Sequence, residues 1–224
     1  MKTYPIELSN GHILLDIDNG PVLVDTGSPI SFNRNAHMEL NGVGYSMPKS
    51  VANVDADYIT SHVGRDTAGM VGTGILGSYD FTIDTRARKM TFDAPKEGFL
   101  PLESRFLLRC ILVRMTVDGK DAVMVLDTGA PVAYISRAFS DGHPVVGYTE
   151  DFSPLSDGDA FTTPLCELLT EAAGKRFPVR YGELPSELAT MLTILGADGV
   201  IGMDFLSRFA VNIDHGKVSV KAFE

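Results

Sequence analysis

The chain has 224 residues, 44% of them hydrophobic, and a formal charge of −10 from 29 acidic and 19 basic residues. An acidic balance without a basic run argues against a nucleic-acid or anionic-membrane partner, and the length allows one large domain or two small ones. Two cysteines, Cys110 and Cys166, are too few for a disulfide framework; with no bilayer-length apolar run and no signal-peptide-like stretch in residues 1–15, the expected location is cytoplasmic.

In chain order, residues 13–17 read as a strand that turns at Asn19-Gly20 into apolar Val22-Leu23-Val24, which ends in Asp25-Thr26-Gly27-Ser28-Pro29. Val43-Gly44-Tyr45, then Gly74-Ile75-Leu76-Gly77, then Ile83-Asp84 follow as landmarks. A breaker-rich connector, Pro95-Lys96-Glu97-Gly98 with Pro101, separates residues 1–98 from residues 99–224.

The second half then repeats the first. A strand over 106–117 turns at Asp118-Gly119, and Val123-Met124-Val125-Leu126 ends in Asp127-Thr128-Gly129-Ala130-Pro131. Val146-Gly147-Tyr148, Gly199-Val200-Ile201-Gly202 and Ile213-Asp214 recur in the same order as their first-half counterparts. Extra length after Tyr148 comprises polar residues 153–159, which read as a surface loop covering a site, and a hairpin through Ala172-Ala173-Gly174-Lys175. Leu188, Met191, Leu192 and Leu195 share one face, which predicts a helix over 186–195 capped by Ser186. A shorter helix follows Gly202, and 217–222 reads as a final strand.

A single Asp-Thr-Gly is most simply a turn after a strand. Two copies in matched settings, related by an internal two-fold, would bring Asp25 and Asp127 face to face. Like charges at contact cannot both ionise cheaply, so such a pair shares one proton and supplies a general acid and a general base together. Gly27 and Gly129 let backbone approach the carboxylates, and the Thr26 and Thr128 hydroxyls can bond across to the partner loop. Ser28 has Ala130 as its counterpart; a hydroxyl donating to its own carboxylate would make Asp25 the more readily charged member.

Other motifs fail on context. Gly72-Thr73-Gly74-Ile75-Leu76-Gly77 fits the dinucleotide fingerprint, but no clear strand precedes it and the following residues read as strand. Asp16-Ile17-Asp18-Asn19-Gly20 lacks the distal glutamate of a calcium loop and reads as a hairpin turn. The five histidines have no metal-type spacing, Ser28 has no glycine elbow, and no metal or cofactor is expected.

The pattern Val-Asp-Thr-Gly-Ser-Pro with Leu-Asp-Thr-Gly-Ala-Pro, each closed by an apolar-apolar-glycine landmark, resembles the retropepsin and pepsin-like aspartic peptidases. The resemblance implies an all-β acid-protease fold with one or two short helices, built as two pseudo-two-fold-related closed β-barrel lobes in one chain. It implies Asp25 and Asp127 as the catalytic pair, with Thr26, Gly27, Ser28, Thr128, Gly129 and Ala130 in support. Tyr45 and Tyr148 are candidate flap residues over the cleft. The expected partner is a peptide or protein substrate between the lobes, with one chain sufficient for the site. A peptide-binding or assembly module that keeps the fold without catalysis is the alternative, and a structural homodimer with a closed cleft is a third reading.

Overall fold

The computed structural model describes residues 1–152, 160–184 and 186–224. It is 52% strand, so the mainly-β expectation holds, but it carries five short helices where one or two were expected.

The organising element is a six-strand arrangement ordered Leu100–Pro101, Lys217–Ala222, Phe209–Asp214, Asp80–Asp84, Lys89–Phe92 and Lys2–Ser9. Read from its middle, the order is the same in both directions. Asp80–Asp84 and Phe209–Asp214 are the repeated Ile-Asp strands, and they pair antiparallel with Thr82 opposite its own counterpart Asn212. Asn212 Nδ2 donates to Thr82 Oγ1 at 3.2 Å and to the Phe81 carbonyl at 3.1 Å, so the pseudo-dyad runs through a satisfied polar pair. One core cluster, reaching from Tyr4 to Val220, draws on both halves of the chain.

On the first-half side this sheet continues through His12–Leu15, Val22–Asp25, Gly69–Gly72 and Phe32–Asn33. A second, eight-stranded sheet repeats the arrangement. Val22–Asp25 runs parallel to Gly69–Gly72, and Lys120–Leu126 runs parallel to Gly199–Ile201. Glycine is required where these strands cross the strand that follows each Asp-Thr-Gly loop. A Cβ on Gly69 would lie 2.1 Å from the Phe32 carbonyl oxygen, and one on Gly199 would lie 2.2 Å from that of Tyr134.

This geometry corrects the landmark. The counterpart of Gly199-Val200-Ile201-Gly202 is Gly69-Met70-Val71-Gly72, not Gly74-Ile75-Leu76-Gly77. The latter lies in a helical turn, Thr73–Leu76, placed as Met203–Leu206 is after Gly202. The dinucleotide-like run therefore does follow a strand and does enter a short helix, against the sequence reading. Its glycines serve packing: a Cβ on Gly72 or Gly74 would sit 2.2 Å or 2.4 Å from the Ile30 or Pro29 carbonyl oxygen.

The predicted helix occupies Ser186–Leu195, with Leu192 and Leu195 buried against Leu112, Val125, Tyr134 and Val200. Its first-half counterpart, Ala56–Val63, packs Ile59 and Val63 on Leu14, Leu23, Phe32 and Met70. Asp55 accepts from the Tyr58 N–H to start that helix, and Gly64, at φ 70°, donates to the Thr60 carbonyl to close it. The hairpin turn at Ala173-Gly174 is where expected. The stretch 106–117 is not one strand: Ser104–Leu107 and Cys110–Val117 form a hairpin around Leu108 and Arg109, both at positive φ. Left-handed conformation costs non-glycine residues roughly 1–2 kcal/mol each. Cross-half bonds hold the turn, from Thr73 Oγ1 to the Arg109 carbonyl and from Arg109 Nη1 to the Gly74 carbonyl at 3.3 Å.

The two Val-Gly-Tyr segments sit in different settings. Val43–Ser46 pairs only with His37–Leu40, whereas Val145–Phe152 forms the edge of the eight-stranded sheet against Ala160–Ala172. The polar stretch 153–159 lies outside the described residues.

The connector is tied across the dyad. Lys96 Nζ lies 2.9 Å from Asp80 and 3.0 Å from Asp214, carboxylates that face each other across paired strands. The Lys96 hydrogen bond is the largest cause holding the Asp214 carboxyl below its ordinary 3.8, so this contribution is present above that pH and is lost as pH falls through the depressed pKa. Lys96→Met should lower stability at neutral pH by no more than about 1 kcal/mol, a figure discounted for exposure. In urea titrations the difference should vanish in strong acid; an equal deficit at both pH values would assign the effect to packing instead.

Candidate active site

Both Asp-Thr-Gly loops begin where a buried strand ends. Val22, Leu23 and Val24 are buried, as are Met124, Val125 and Leu126, so each aspartate is delivered from a rigid strand. The loops face each other closely. A Cβ on Gly27 would lie 2.2 Å from the Asp127 carboxyl carbon, and one on Gly129 would lie 2.8 Å from that of Asp25. No side chain fits between loop and opposing carboxyl.

The threonines lock this approach. Thr26 Oγ1 donates to the Leu126 carbonyl at 2.7 Å and accepts from the Thr128 N–H at 3.0 Å. Thr128 Oγ1 donates to the Val24 carbonyl at 2.7 Å and accepts from the Thr26 N–H at 3.0 Å. Both hydroxyls are fully buried, so four polar groups depend on two side chains.

Asp25 Oδ1 accepts from the Gly27 and Ser28 N–H groups, each at 2.9 Å, and Asp127 Oδ1 accepts from the Gly129 N–H at 2.8 Å. Burial pushes Asp25 up, and the charge of Asp127 pushes it further, well above the ordinary carboxylate value. Burial raises Asp127 too, opposed by the Gly129 and Gly27 N–H groups. Both carboxyls are thus raised, and the pair keeps a shared proton at a pH where an isolated carboxyl has lost its own.

The hydroxyl donation expected from Ser28 is not made. The Ser28 hydroxyl does not reach its carboxylate; Ser28 Oγ accepts from the Ile30 N–H at 3.1 Å. It is the Ser28 backbone, a contribution any residue type can make, that donates to Asp25. Ala130 is buried; its N–H donates to the Asp127 carbonyl at 3.3 Å and its carbonyl accepts from the Met203 N–H at 3.1 Å.

The two candidate flap tyrosines lie apart in character. The Tyr45 hydroxyl is bonded to that of Tyr79, and its ring packs against the main core. Tyr148 is 71% exposed on Val145–Phe152. Among the described residues no group of His, Cys, Asp and Glu could hold a metal ion.

Three neighbours of the site had no sequence signal. Cys110, at the start of its strand, is buried beside the pair: burial raises its thiol pKa, and the charges of Asp127 and Asp25 add to the rise. Tyr134, in the strand following the second loop, donates its hydroxyl to Asp151 of Val145–Phe152. Asp151 in turn adds to the upward push on Asp127. These three converge through pairing between strands distant in sequence, which no local pattern encodes.

No family model matches the chain, and a search of curated proteins finds none with significant similarity.

Because each threonine hydroxyl serves two buried partners, Thr26→Val should destabilise the protein by about 2–4 kcal/mol, while Thr26→Ser should recover most of the loss. Equilibrium unfolding in urea reads this directly. A valine variant as stable as the parent would mean the reciprocal bonds contribute little.

Proposed function

We propose that this chain is an aspartic endopeptidase of single-chain, retropepsin-like architecture, with residues 1–98 and 99–224 as two pseudo-two-fold-related β-barrel lobes. The observation that carries the reading is the pair itself: two carboxyls, each at the end of a buried strand and each pressed against the glycine of the opposing loop. Purely structural carboxylates gain from cationic or donor-rich surroundings; two pressed together in a desolvated site are instead arranged to share a proton.

The chemistry follows from one proton shared by two groups. The ionised member of the pair takes a proton from a water lying between the carboxyls as that water attacks the peptide carbonyl carbon. The protonated member gives its proton to the carbonyl oxygen, so a neutral tetrahedral diol forms. Return of a proton to the amide nitrogen then lets the C–N bond break. The substrate lies extended between the lobes, where strand-like pairing supplies sequence-tolerant hydrogen bonds. Both aspartates come from one chain, and a monomer suffices. Neither nucleic acid nor membrane is a partner in this reading, no cofactor enters it, and the cytoplasm is its setting.

Activity requires one proton on the pair. Since both groups are pushed above 3.8, both limbs of the pH–rate profile should lie above the ordinary carboxylate range, giving a mildly acidic optimum. Hydrolysis of denatured casein between about pH 3 and 7 and binding of a statine-type transition-state mimic test the reading. Asp127→Asn should lose at least about 10³-fold in kcat, the scale of removing an essential acid–base group, with its fold intact. Casein left uncut, with no binding of the mimic, would favour a peptide-binding module that retains the fold; turnover surviving in Asp127→Asn would exclude the paired-carboxylate mechanism.

A further inference from the structure

Strand alternation gives the six-strand arrangement two unlike faces. One sends Phe81, Ile83, Met90, Phe92, Val211 and Ile213 into the main core. The other carries a row of small polar residues in register across both halves: Thr3 opposite Thr91, Thr91 opposite Thr82, Thr82 opposite Asn212 and Asn212 opposite Ser219. A cavity of about 550 Å³ has Thr3, Thr82 and Thr91 in its lining, and none of the lining belongs to the Asp-Thr-Gly loops. Its volume falls in the range of small-molecule sites, roughly 300–1,000 Å³.

The lining is rich in donors. Thr82 Oγ1 accepts from Asn212 Nδ2, which leaves the Thr82 hydroxyl hydrogen to give. Thr3 Oγ1 and Thr91 Oγ1 lie 3.2 Å apart, so one donates to the other and a second hydrogen is left over. Arg86, Lys89 and Lys221 line the same cavity. Main-chain oxygens hold two of them in place: Arg86 Nη1 donates to that of Glu224 at 2.6 Å, and Lys221 Nζ to that of Glu97 at 3.4 Å. Elsewhere basic side chains meet carboxylates, as Arg34 meets Asp66, Arg65 meets Glu7 and Arg114 meets Glu103. Among the described residues Arg86, Lys89 and Lys221 form no ion pair with a side-chain carboxylate, in a chain with 29 acidic residues. Two carboxylates share the lining, Asp84, which accepts from the Ala87 N–H at 2.7 Å, and exposed Glu224, so an anion held here must carry enough charge to outweigh them.

We infer that this cavity binds a phosphate monoester carried on a flat apolar body, the chemistry shared by a nucleoside monophosphate and an aryl phosphate. Such a group presents three acceptor oxygens and a charge of about −2 at neutral pH. It suits hydroxyl and cationic donors supplied by several strands, where a carboxylate has two oxygens and a single charge. Phe99 and Phe223, also in the lining, offer ring surface to the body, and the Arg86 guanidinium lies 5.0 Å from the Phe223 ring centroid. Arg86 and Lys89 come from the first half, and Lys221 and Phe223 from the second, so an occupant ties the two halves together across the dyad. The site is separate from the aspartate pair and independent of the peptidase reading.

Isothermal titration calorimetry of the whole chain in phosphate-free buffer near neutral pH tests this, with phenyl phosphate, adenosine 5′-monophosphate, adenosine and inorganic phosphate as probes. At least one ester should bind saturably with a Kd below about 1 mM. Adenosine, which lacks the phosphate, and inorganic phosphate, which lacks the ring, should bind at least about 10-fold more weakly. Binding of the nucleotide alone would assign a nucleotide, and binding of phenyl phosphate, alone or with it, a ring phosphate in general; each supports the inference. Lys89→Ala and Lys221→Ala, both at exposed positions, should each weaken the ester about 10-fold, the scale of one charge-assisted hydrogen bond, and reduce the rise in thermal midpoint that it gives. Lys175→Ala, at an exposed position outside the cavity, should leave both unchanged. No saturable binding of either ester up to about 10 mM would overturn the inference. So would inorganic phosphate binding as tightly as the esters, or an affinity unchanged in both cavity variants. The comparison of probes on the unaltered chain decides even where a variant fails to fold.

Discussion

Two carboxylates resist being placed against each other, and this protein places them so. In a desolvated setting the repulsion between two charges is large compared with the net stability of a domain, so the arrangement survives only by holding a proton and by rigid support. Every nearby feature meets that need. The strands Val22–Asp25 and Lys120–Leu126 are buried and paired on both sides, the threonine hydroxyls exchange bonds with the opposing loop, and Gly27 and Gly129 remove the side chains that would hold the loops apart. The approach of the two carboxyls is thus held by several independent contacts.

Symmetry supplies the frame and asymmetry the chemistry on it. The antiparallel pairing of Asp80–Asp84 with Phe209–Asp214 and the crossing strands at Gly69–Gly72 and Gly199–Ile201 obey one pseudo-dyad, and Lys96 neutralises the like charges that pairing brings together. Departures cluster in the second half, where Val145–Phe152 and Ala160–Ala172 form a long hairpin without a first-half equivalent. The two loops of nearly identical sequence also differ in their backbone donors, two N–H groups on Asp25 and one on Asp127.

Some of this was legible in the residues. Asp25 and Asp127 with their Thr-Gly neighbours, the helix over 186–195 and the Ala173-Gly174 turn all declare themselves locally, through motif, apolar spacing and turn chemistry. The glycine landmark was misplaced because Gly74-Ile75-Leu76-Gly77 imitates the true crossing strand in composition, and only parallel pairing to Val22–Asp25 singles out Gly69-Met70-Val71-Gly72. The hairpin at Leu108-Arg109 was invisible because no glycine or asparagine marks it; contacts from Thr73 and Gly74 impose its conformation. Helix Ala56–Val63 was too short to show a period, yet it is the repeat of the helix that was found. The Ser28 hydroxyl misled because residue type says which bonds a side chain can make, not which way it turns.

The central claim is that the Asp25–Asp127 pair holds a proton in the folded protein at a pH where an isolated carboxyl has lost it. A group whose folded pKa is raised stabilises the fold below its unfolded value, near 3.8, and that contribution is lost as pH rises through the folded pKa. Comparing the unfolding free energy of the unaltered protein and Asp25→Asn across about pH 3 to 8 measures this directly, because the asparagine cannot ionise. The account predicts that the variant gains stability relative to the parent as pH rises above that value, reaching a plateau once the pair is fully titrated. Two curves that run parallel over the whole range would contradict it.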